Sequence, residues 1–248
     1  MVAVHVLIDL HWQKAVGGHV KSWMQFARAA QKLSPSTLDL TLHFQGDRPE
    51  EIPQSANVRY VTHPPRFSTE KLPFLQDVPS HTDLASSAPS LKPYLQQADV
   101  VHVTHPLFTF GQTAQKFCDQ TQKTLVSSIH TDSAQYAKIY LEDKLEKIFG
   151  KGPISNLLNC RLALPQKYRQ GLEKKQSAYW KSCKHVWFSQ VSERQQLGVD
   201  HPELPISRLR RGMNLELFDP AYGDRDRLYQ QYGVPKSPFL ALFVGRLD

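Results

Sequence analysis

The sequence lacks the features that mark several large classes of protein. It has only three cysteines, Cys118, Cys160 and Cys183, which are too far apart to form a CxxC pair. We therefore expect structural or incidental thiols in a reducing cytoplasm rather than a disulfide framework. No apolar run approaches the roughly 20 residues that a membrane-spanning helix needs. No basic region precedes the first apolar stretch, so we also expect no signal peptide.

The sequence also lacks the short motifs that identify several kinds of functional site. The histidines do not have HExxH or any other metal-site spacing, and no GxGxxG motif supports a dinucleotide site. No helix-turn-helix, zinc spacing or RNP-like aromatic pattern supports nucleic-acid binding. Lys and Arg number 30 against 23 Asp and Glu, a net charge of +7. That excess suits an anionic partner such as a nucleotide or an anionic membrane face, or it serves solubility alone.

Strand and helix patterns alternate along the chain. Residues 2–10 form an apolar run typical of a buried parallel strand, and helical spacing of apolar residues begins at residue 19. Further strands are predicted at residues 38–44, 58–61, 98–103, 124–129, 185–189 and 205–209, and further helices at 92–97, 106–122, 136–149, 157–183, 192–197 and 225–232. This order predicts a doubly wound α/β fold with a mainly parallel sheet.

The C-terminal part reads as the start of a second domain. Residues 239–244 are apolar throughout, so they should form a strand that is buried on both faces. The helices needed to cover such a strand do not follow it in this sequence. Either this strand adds to the sheet of the first domain, or it is the first strand of a further domain. We expect the second arrangement, with a domain over residues 1–209, a linker and helix over 210–237, and the first strand of a further domain over 238–248.

Two groups of residues lie where ligands bind in such folds. Gly17 and Gly18 stand between the first strand and its helix, where a phosphate or sugar could approach the backbone and the helix N-terminus; a tight turn would explain them equally. His130 ends a predicted strand, and His105 follows the preceding one. Because ligands bind at the carboxyl ends of the strands, both imidazoles are candidate site residues, although each could simply bond to local backbone.

Thr131 and Asp132 follow His130 and would add a hydroxyl and a carboxylate to the same crevice. A separate stretch, residues 62–93, is rich in proline and predicted to be an irregular surface excursion.

Four pieces of sequence occur in an order that resembles a known family. They are residues 17–20 (GGHV), 128–132 (SIHTD), 211–220 (RGMN through FDP) and 242–247 (LFVGRL). Together they are similar to the landmarks of retaining GT-B glycosyltransferases of the large family-four group. The third landmark departs from the family pattern, since Arg211 and Asn214 replace the first and last residues of N-G-V-D.

The resemblance implies two Rossmann-like domains and transfer of a sugar from a nucleotide diphosphate to an acceptor hydroxyl, with retention and without an obligatory metal or other cofactor. It implies that Gly18, beside Gly17, offers its backbone N–H to the diphosphate. His130 would contact the transferred sugar, and Arg246 would neutralise the leaving diphosphate. The partner lysine and the Glu-x7-Glu element of the family are absent from these residues, so we expect the 248-residue chain alone to be inactive.

The partners implied are a nucleotide sugar and a sugar or lipid acceptor, with no nucleic acid. The basic stretch 157–184, with interleaved apolar residues, would be either a face resting on anionic lipid or a solvated helix surface. We therefore expect a cytoplasmic protein, with a peripheral contact at the cytoplasmic membrane face under the first interpretation. Two other functions stay open: a UDP-sugar epimerase-like GT-B enzyme, and a non-catalytic module that binds a phosphate-bearing ligand.

Overall fold

The structure is a computed structural model, and the chain divides into two compact units, residues 1–210 and 211–248. It describes residues 1–12, 18–68, 70, 83–130, 132–189, 197–210, 212, 214–216, 218–233, 239 and 241. The predicted helix at 192–197 and the predicted strand at 239–244 lie almost entirely outside the described residues.

A single eight-stranded sheet organises the first unit. Its strands are β1 (Val2–His11), β2 (Leu38–Gln45), β3 (Glu50–Ser55), β4 (Val58–His63), β5 (Val100–Val103), β6 (Thr124–Ile129), β7 (His185–Phe188) and β8 (Ile206–Arg208). Their spatial order is β3-β4-β2-β1-β5-β6-β7-β8. Every pairing is parallel except β3 with β4. The predicted doubly wound α/β fold with a mainly parallel sheet is confirmed.

The helices connect successive parallel strands. They are α1 (Gly18–Ala30), α2 (Lys92–Gln97), α3 (Thr109–Thr121), α4 (Ser133–Phe149), α5 (Pro153–Asn156) and α6 (Leu164–Lys181). A 3₁₀ turn (Pro89–Leu91) precedes α2, and a π-helical turn (Leu157–Arg161) joins α5 to α6. Among the helices that the structure describes, none combines the length and apolar content needed to cross a bilayer.

Each face of the sheet carries its own hydrophobic core. Alternate residues of a strand point to opposite faces, so Val6 of β1 packs with Trp23 and Ala27 of α1. Leu7 points the other way and packs with Phe110 of α3 and other buried residues of α2, α3 and β5. The two cores hold α1 on one face and α3 on the opposite face.

The strand order reverses at β1. From β1 the chain first moves outward through β2 to β4, and it then returns to add β5 on the other side of β1. A crevice forms at the carboxyl ends of the strands at such a point, because the connecting helices leave on opposite faces. The turns that follow β1 and β5 therefore border the position where a doubly wound sheet binds ligands.

The second unit is described in part. A 3₁₀ turn (Pro220–Tyr222) begins where Asp219 accepts a hydrogen bond from the Ala221 N–H at 2.8 Å. A helix, α7 (Arg225–Tyr232), begins where Asp224 accepts from the Arg227 N–H at 2.9 Å. It ends at Gly233, whose φ of 62° is the left-handed conformation that glycine adopts readily. These side-chain caps satisfy N–H groups that helix ends leave unpaired.

The first turn of α3 requires a glycine where it packs against the segment that follows β5. A Cβ added to Gly111 would lie 2.4 Å from the carbonyl oxygen of His105 and 2.7 Å from that of Pro106. Both obstacles are backbone atoms, which cannot rotate away. We expect Gly111→Ala to lower the free energy of unfolding by about 2–3 kcal/mol, measured by urea denaturation.

The matched control for this substitution is Gly171→Ala in α6. A Cβ there meets nothing within 4 Å among the described residues, so the variant should keep or slightly raise stability because alanine favours helix. Equal stability of both variants would show that the turn can open at no cost.

Candidate functional site

Three histidines from three elements meet at the carboxyl edge of the sheet. His105 follows β5, His130 follows β6, and His19 lies in the first turn of α1. The ring of His19 is stacked on that of His105 with centroids 4.7 Å apart, and its centroid is 4.0 Å from that of His130. We call these three residues the strand-end cluster. The sequence predicts His105 and His130 as site residues but not His19, although His19 directly follows the two glycines.

The protonation of His105 follows from its neighbour. The hydroxyl of Thr104 donates to the carbonyl oxygen of Leu7 at 3.1 Å, and its oxygen lies 3.1 Å from His105 Nδ1. A hydroxyl has one proton, so with that proton directed at Leu7 the oxygen must accept from His105. His105 therefore carries its proton on Nδ1, which leaves Nε2 as the nitrogen with a lone pair.

His130 is tied to the sheet interior through a serine. Ser128 Oγ lies 2.8 Å from His130 Nε2 and 2.8 Å from Nε2 of His102, a buried residue of β5. The serine has one proton to give, so no more than one of the two imidazoles accepts from it and at least one donates to it. The ring of Trp23 covers His102 at 4.7 Å, edge to face. This connection fixes the orientation of the His130 ring before any ligand arrives.

Burial keeps the imidazoles of His105 and His102 neutral at physiological pH. Removal from water lowers the pKa of His105 to about 4 and that of His102 to about 3. The exposed fractions of His105 and His130 are only 8% and 9%. His105 can therefore exchange hydrogen bonds with a polar ligand at the edge, but it does not supply positive charge.

A buried carboxyl group lies at the end of β1. Asp9 is fully buried; its Oδ2 accepts from the Phe110 N–H at 2.7 Å, and its Oδ1 accepts from the amide of Gln45. Burial raises the pKa of Asp9 to about 7, partly opposed by these two hydrogen bonds. Because Phe110 lies in the first turn of α3, Asp9 satisfies a helix N–H that no local side chain caps. Its role in the fold is structural.

Gly18 begins α1, and its carbonyl accepts a hydrogen bond from the hydroxyl of Ser22 at 2.8 Å. A Cβ built at Gly18 would meet nothing within 4 Å among the described residues. Packing within the described part of the chain therefore does not explain a glycine here.

The remaining predicted site residues divide into two groups. Gly17, Thr131 and Arg246 lie outside the described residues. Asp132 is exposed and caps α4, because its Oδ1 accepts from the Gln135 N–H at 2.9 Å. In the part of the chain that the structure describes, no group of three or more His, Cys, Asp or Glu residues could hold a metal ion.

A second series of histidines crosses the sheet interior and was missed from the sequence. His5 Nδ1 lies 2.9 Å from His43 Nε2, His43 Nδ1 lies 3.0 Å from His63 Nε2, and His63 Nδ1 lies 3.0 Å from the hydroxyl of Ser90. We call His5, His43 and His63 the imidazole chain. Tyr94 of α2 covers it, with ring centroids 5.0 to 6.5 Å from the three rings. The signal in the sequence is a histidine in each of three neighbouring strands, at His5, His43 and His63.

The imidazole chain is also held neutral by burial. Loss of water lowers the pKa of His5 and His63 to about 4 and that of His43 well below its usual value. A neutral imidazole has one donor and one acceptor nitrogen. Three neutral imidazoles in series can therefore satisfy one another's hydrogen-bonding nitrogens when the donor N–H of every ring points in the same direction along the chain.

The proline-rich excursion is closed by a neck near α3. Ser68 and Asp83 form an isolated β-bridge, and the Asp83 carboxylate accepts from the N–H groups of Arg66 at 3.0 Å and Phe67 at 2.9 Å. The hydroxyl of Thr109 donates to the Asp83 carbonyl oxygen at 2.8 Å. The neck therefore fixes both ends of the excursion against the start of α3.

Comparison with known proteins finds similarity among solved structures. No protein-family profile matches the chain, and neither does any curated protein. One similar solved structure is a sucrose-phosphate synthase from Thermosynechococcus elongatus, with 12% identity, a TM-score of 0.43, and coverage of 94% of this chain and 99% of that one. Another is a UDP-glucosyltransferase from Polygonum tinctorium that can glucosylate indoxyl, with 13% identity, a TM-score of 0.43, and coverage of 92% and 56%. At these scores, neither likeness bears on the chemistry of this chain.

Proposed function

We propose that the chain is the acceptor-side part of a retaining GT-B glycosyltransferase that uses a nucleotide-diphosphate sugar. The observation that carries the proposal is the strand-end cluster: imidazoles from α1, β5 and β6 converge where the sheet order reverses, beside a glycine at a helix N-terminus. His130 and Gly18 are also the positions at which the sequence matches the family landmarks.

In the proposed reaction, the bond between the sugar C1 and the diphosphate oxygen breaks. A bond from C1 to the acceptor oxygen forms on the same face of the sugar, and the acceptor hydroxyl loses its proton. His130, oriented through Ser128, would bond to the transferred sugar, with the neutral imidazole of His105 lining the acceptor side of the cleft. Hydroxyl-rich ligands suit such a site because each hydroxyl can both donate and accept.

Negative charge on the leaving diphosphate needs cations or oriented N–H groups. The N-terminus of α1 at Gly18 supplies N–H groups and a partial positive charge, and Arg246 would supply a full charge. Thr131 and Asp132 would border the acceptor, which is a sugar or a lipid. We also propose a cytoplasmic site of action.

The direct test measures sugar transfer by protein expressed from the complete open reading frame that carries these residues. UDP-, GDP- and ADP-sugars would be screened against soluble and lipid acceptors. We expect His130→Ala to lower turnover by about 10²- to 10³-fold, with an unchanged circular dichroism spectrum. The control His185→Ala removes a half-buried histidine at the amino end of β7 and should leave turnover within a factor of a few.

Gly18→Ala separates ligand binding from folding. The added methyl group meets no described atom within 4 Å and favours helix, so stability should be kept or rise, while the affinity for the donor diphosphate should fall.

Undiminished turnover in folded His130→Ala would contradict the proposal. Nucleotide-sugar binding without turnover across all donors and acceptors would instead establish a binding module.

A further inference from the structure

The helices that follow β6 expose much of the chain's apolar surface. Of twenty-one large apolar side chains that are exposed in the described residues, ten lie between residues 133 and 181. They are Tyr136, Ile139, Tyr140, Ile148, Phe149, Ile154, Leu157, Leu162, Leu164 and Tyr168. Single exposed apolar residues are ordinary on a protein, but such a concentration marks an interaction surface.

The same segment carries most of the chain's net positive charge. Residues 133–181 contain ten Lys and Arg against four Asp and Glu, so they hold six of the chain's seven excess positive charges. Each of the four acids is paired with a base of the same segment: Lys138 with Glu142, Lys147 with Asp143, Lys151 with Glu146, and Arg169 with Glu173. The excess positive charge is therefore not balanced within the segment.

The elements of this segment pack together. α4 lies against α6, and the Arg169 guanidinium donates to the side-chain oxygen of Gln135 at 2.7 Å. In α4, Tyr136 and Tyr140 are one helical turn apart and share an exposed stripe with Ile139. We call the exposed side of residues 133–181 the α4–α6 surface.

We propose that the α4–α6 surface docks onto a membrane that contains anionic lipid. Aromatic and aliphatic side chains would enter the boundary between headgroups and acyl chains, while lysines and arginines contact the phosphates. A second copy of the chain fits less well, because two surfaces of the same positive sign repel. A soluble acidic ligand would use the bases but leave the apolar side chains in water. The proposal does not depend on the transferase function.

The charge arm of the test uses sedimentation with vesicles of phosphatidylglycerol or of phosphatidylcholine. We expect binding to the anionic vesicles, at least tenfold weaker binding to the neutral ones, and loss of binding at high salt. Lys174→Glu with Lys175→Glu should weaken binding to the anionic vesicles at least tenfold. The control pair Lys32→Glu with Lys116→Glu makes the same change in net charge outside this surface and should change binding less than threefold.

The apolar arm uses Ile154→Ser with Leu157→Ser, which should also weaken vesicle binding at least tenfold without changing net charge. Val199→Ser, at a position that is 79% exposed outside this surface, is the control. Circular dichroism checks that every variant is folded. The proposal is overturned if the protein binds equally to both kinds of vesicle, or if the double lysine variant or the double apolar variant binds the anionic vesicles as well as the unsubstituted protein. It is also overturned if light scattering shows a dimer that these same variants disrupt.

Discussion

Acidification from pH 6.5 to pH 4 is expected to unfold the first unit. Seven histidines are buried in it. The pKa is lowered in five of them: His5, His43 and His63 of the imidazole chain, and His102 and His105 near the strand-end cluster. Burial lowers the pKa of four of them to between about 3 and about 4, and that of His43 well below its usual value. In the unfolded chain each would titrate near pH 6.5.

The direction in which stability changes with pH follows from the numbers of protons that the folded and unfolded chains bind. Between pH 6.5 and pH 4 the unfolded chain binds up to five more protons at these histidines than the folded protein does. Their contribution to stability is therefore complete above pH 6.5 and is lost as the pH falls. Asp9 acts in the opposite direction, because its raised pKa of about 7 makes the folded protein bind one extra proton between pH 4 and pH 7.

The net difference of up to four protons corresponds to a loss of up to about 5 kcal/mol per pH unit at the steepest point. A whole domain is typically stable by only about 5–15 kcal/mol, so unfolding should be complete before pH 4. Urea denaturation followed by tryptophan fluorescence at a series of pH values measures this slope. Surface carboxylates titrate mainly below pH 4.5, so a free energy of unfolding that stayed constant from pH 7 to 5 would contradict the prediction.

Substitution of His43, the central histidine of the imidazole chain, should cause a large loss of stability. His43→Leu keeps a side chain of similar bulk but removes both hydrogen bonds, so His5 Nδ1 and His63 Nε2 lose their partners inside the protein. Each unsatisfied buried group costs about 1–3 kcal/mol. We expect the free energy of unfolding at pH 7.5 to fall by about 2–5 kcal/mol, measured by urea denaturation.

His185→Leu is the matched control for this variant. His185 makes one hydrogen bond, to the Ser207 hydroxyl at 2.8 Å, and is half-buried, so water can replace the lost partner. Its free energy of unfolding should fall by less than about 1 kcal/mol. An equal loss in the two variants would show that the imidazole chain contributes nothing beyond an ordinary histidine.

The sequence predicts the parallel part of the sheet well because its strands are short and apolar with polar ends. The antiparallel edge strand β3 was missed. Its residues are mostly charged or polar, with Pro53 in the middle, a composition that predicts a loop. An edge strand tolerates such residues, since one side of it makes no ladder hydrogen bonds. The pairing with β4 therefore depends on tertiary context.

The candidate site was predictable only in part. His105 and His130 could be selected because each follows a recognisable strand. His19 could not, since its approach to them depends on the packing of α1 against the sheet through Trp23. The imidazole chain shows the same limit: histidine in a buried strand is unfavourable alone, and it becomes acceptable only when neighbouring strands align in the register that joins the rings.

The neck at Ser68 and Asp83 makes the proline-rich excursion an exchangeable part of the molecule. Contacts between described residues hold the base of that loop together. The entropic cost of a longer insert grows only with the logarithm of its length, by about 0.6 kcal/mol for each doubling. Sequences of different length could therefore be grafted above the same base at a small cost in stability.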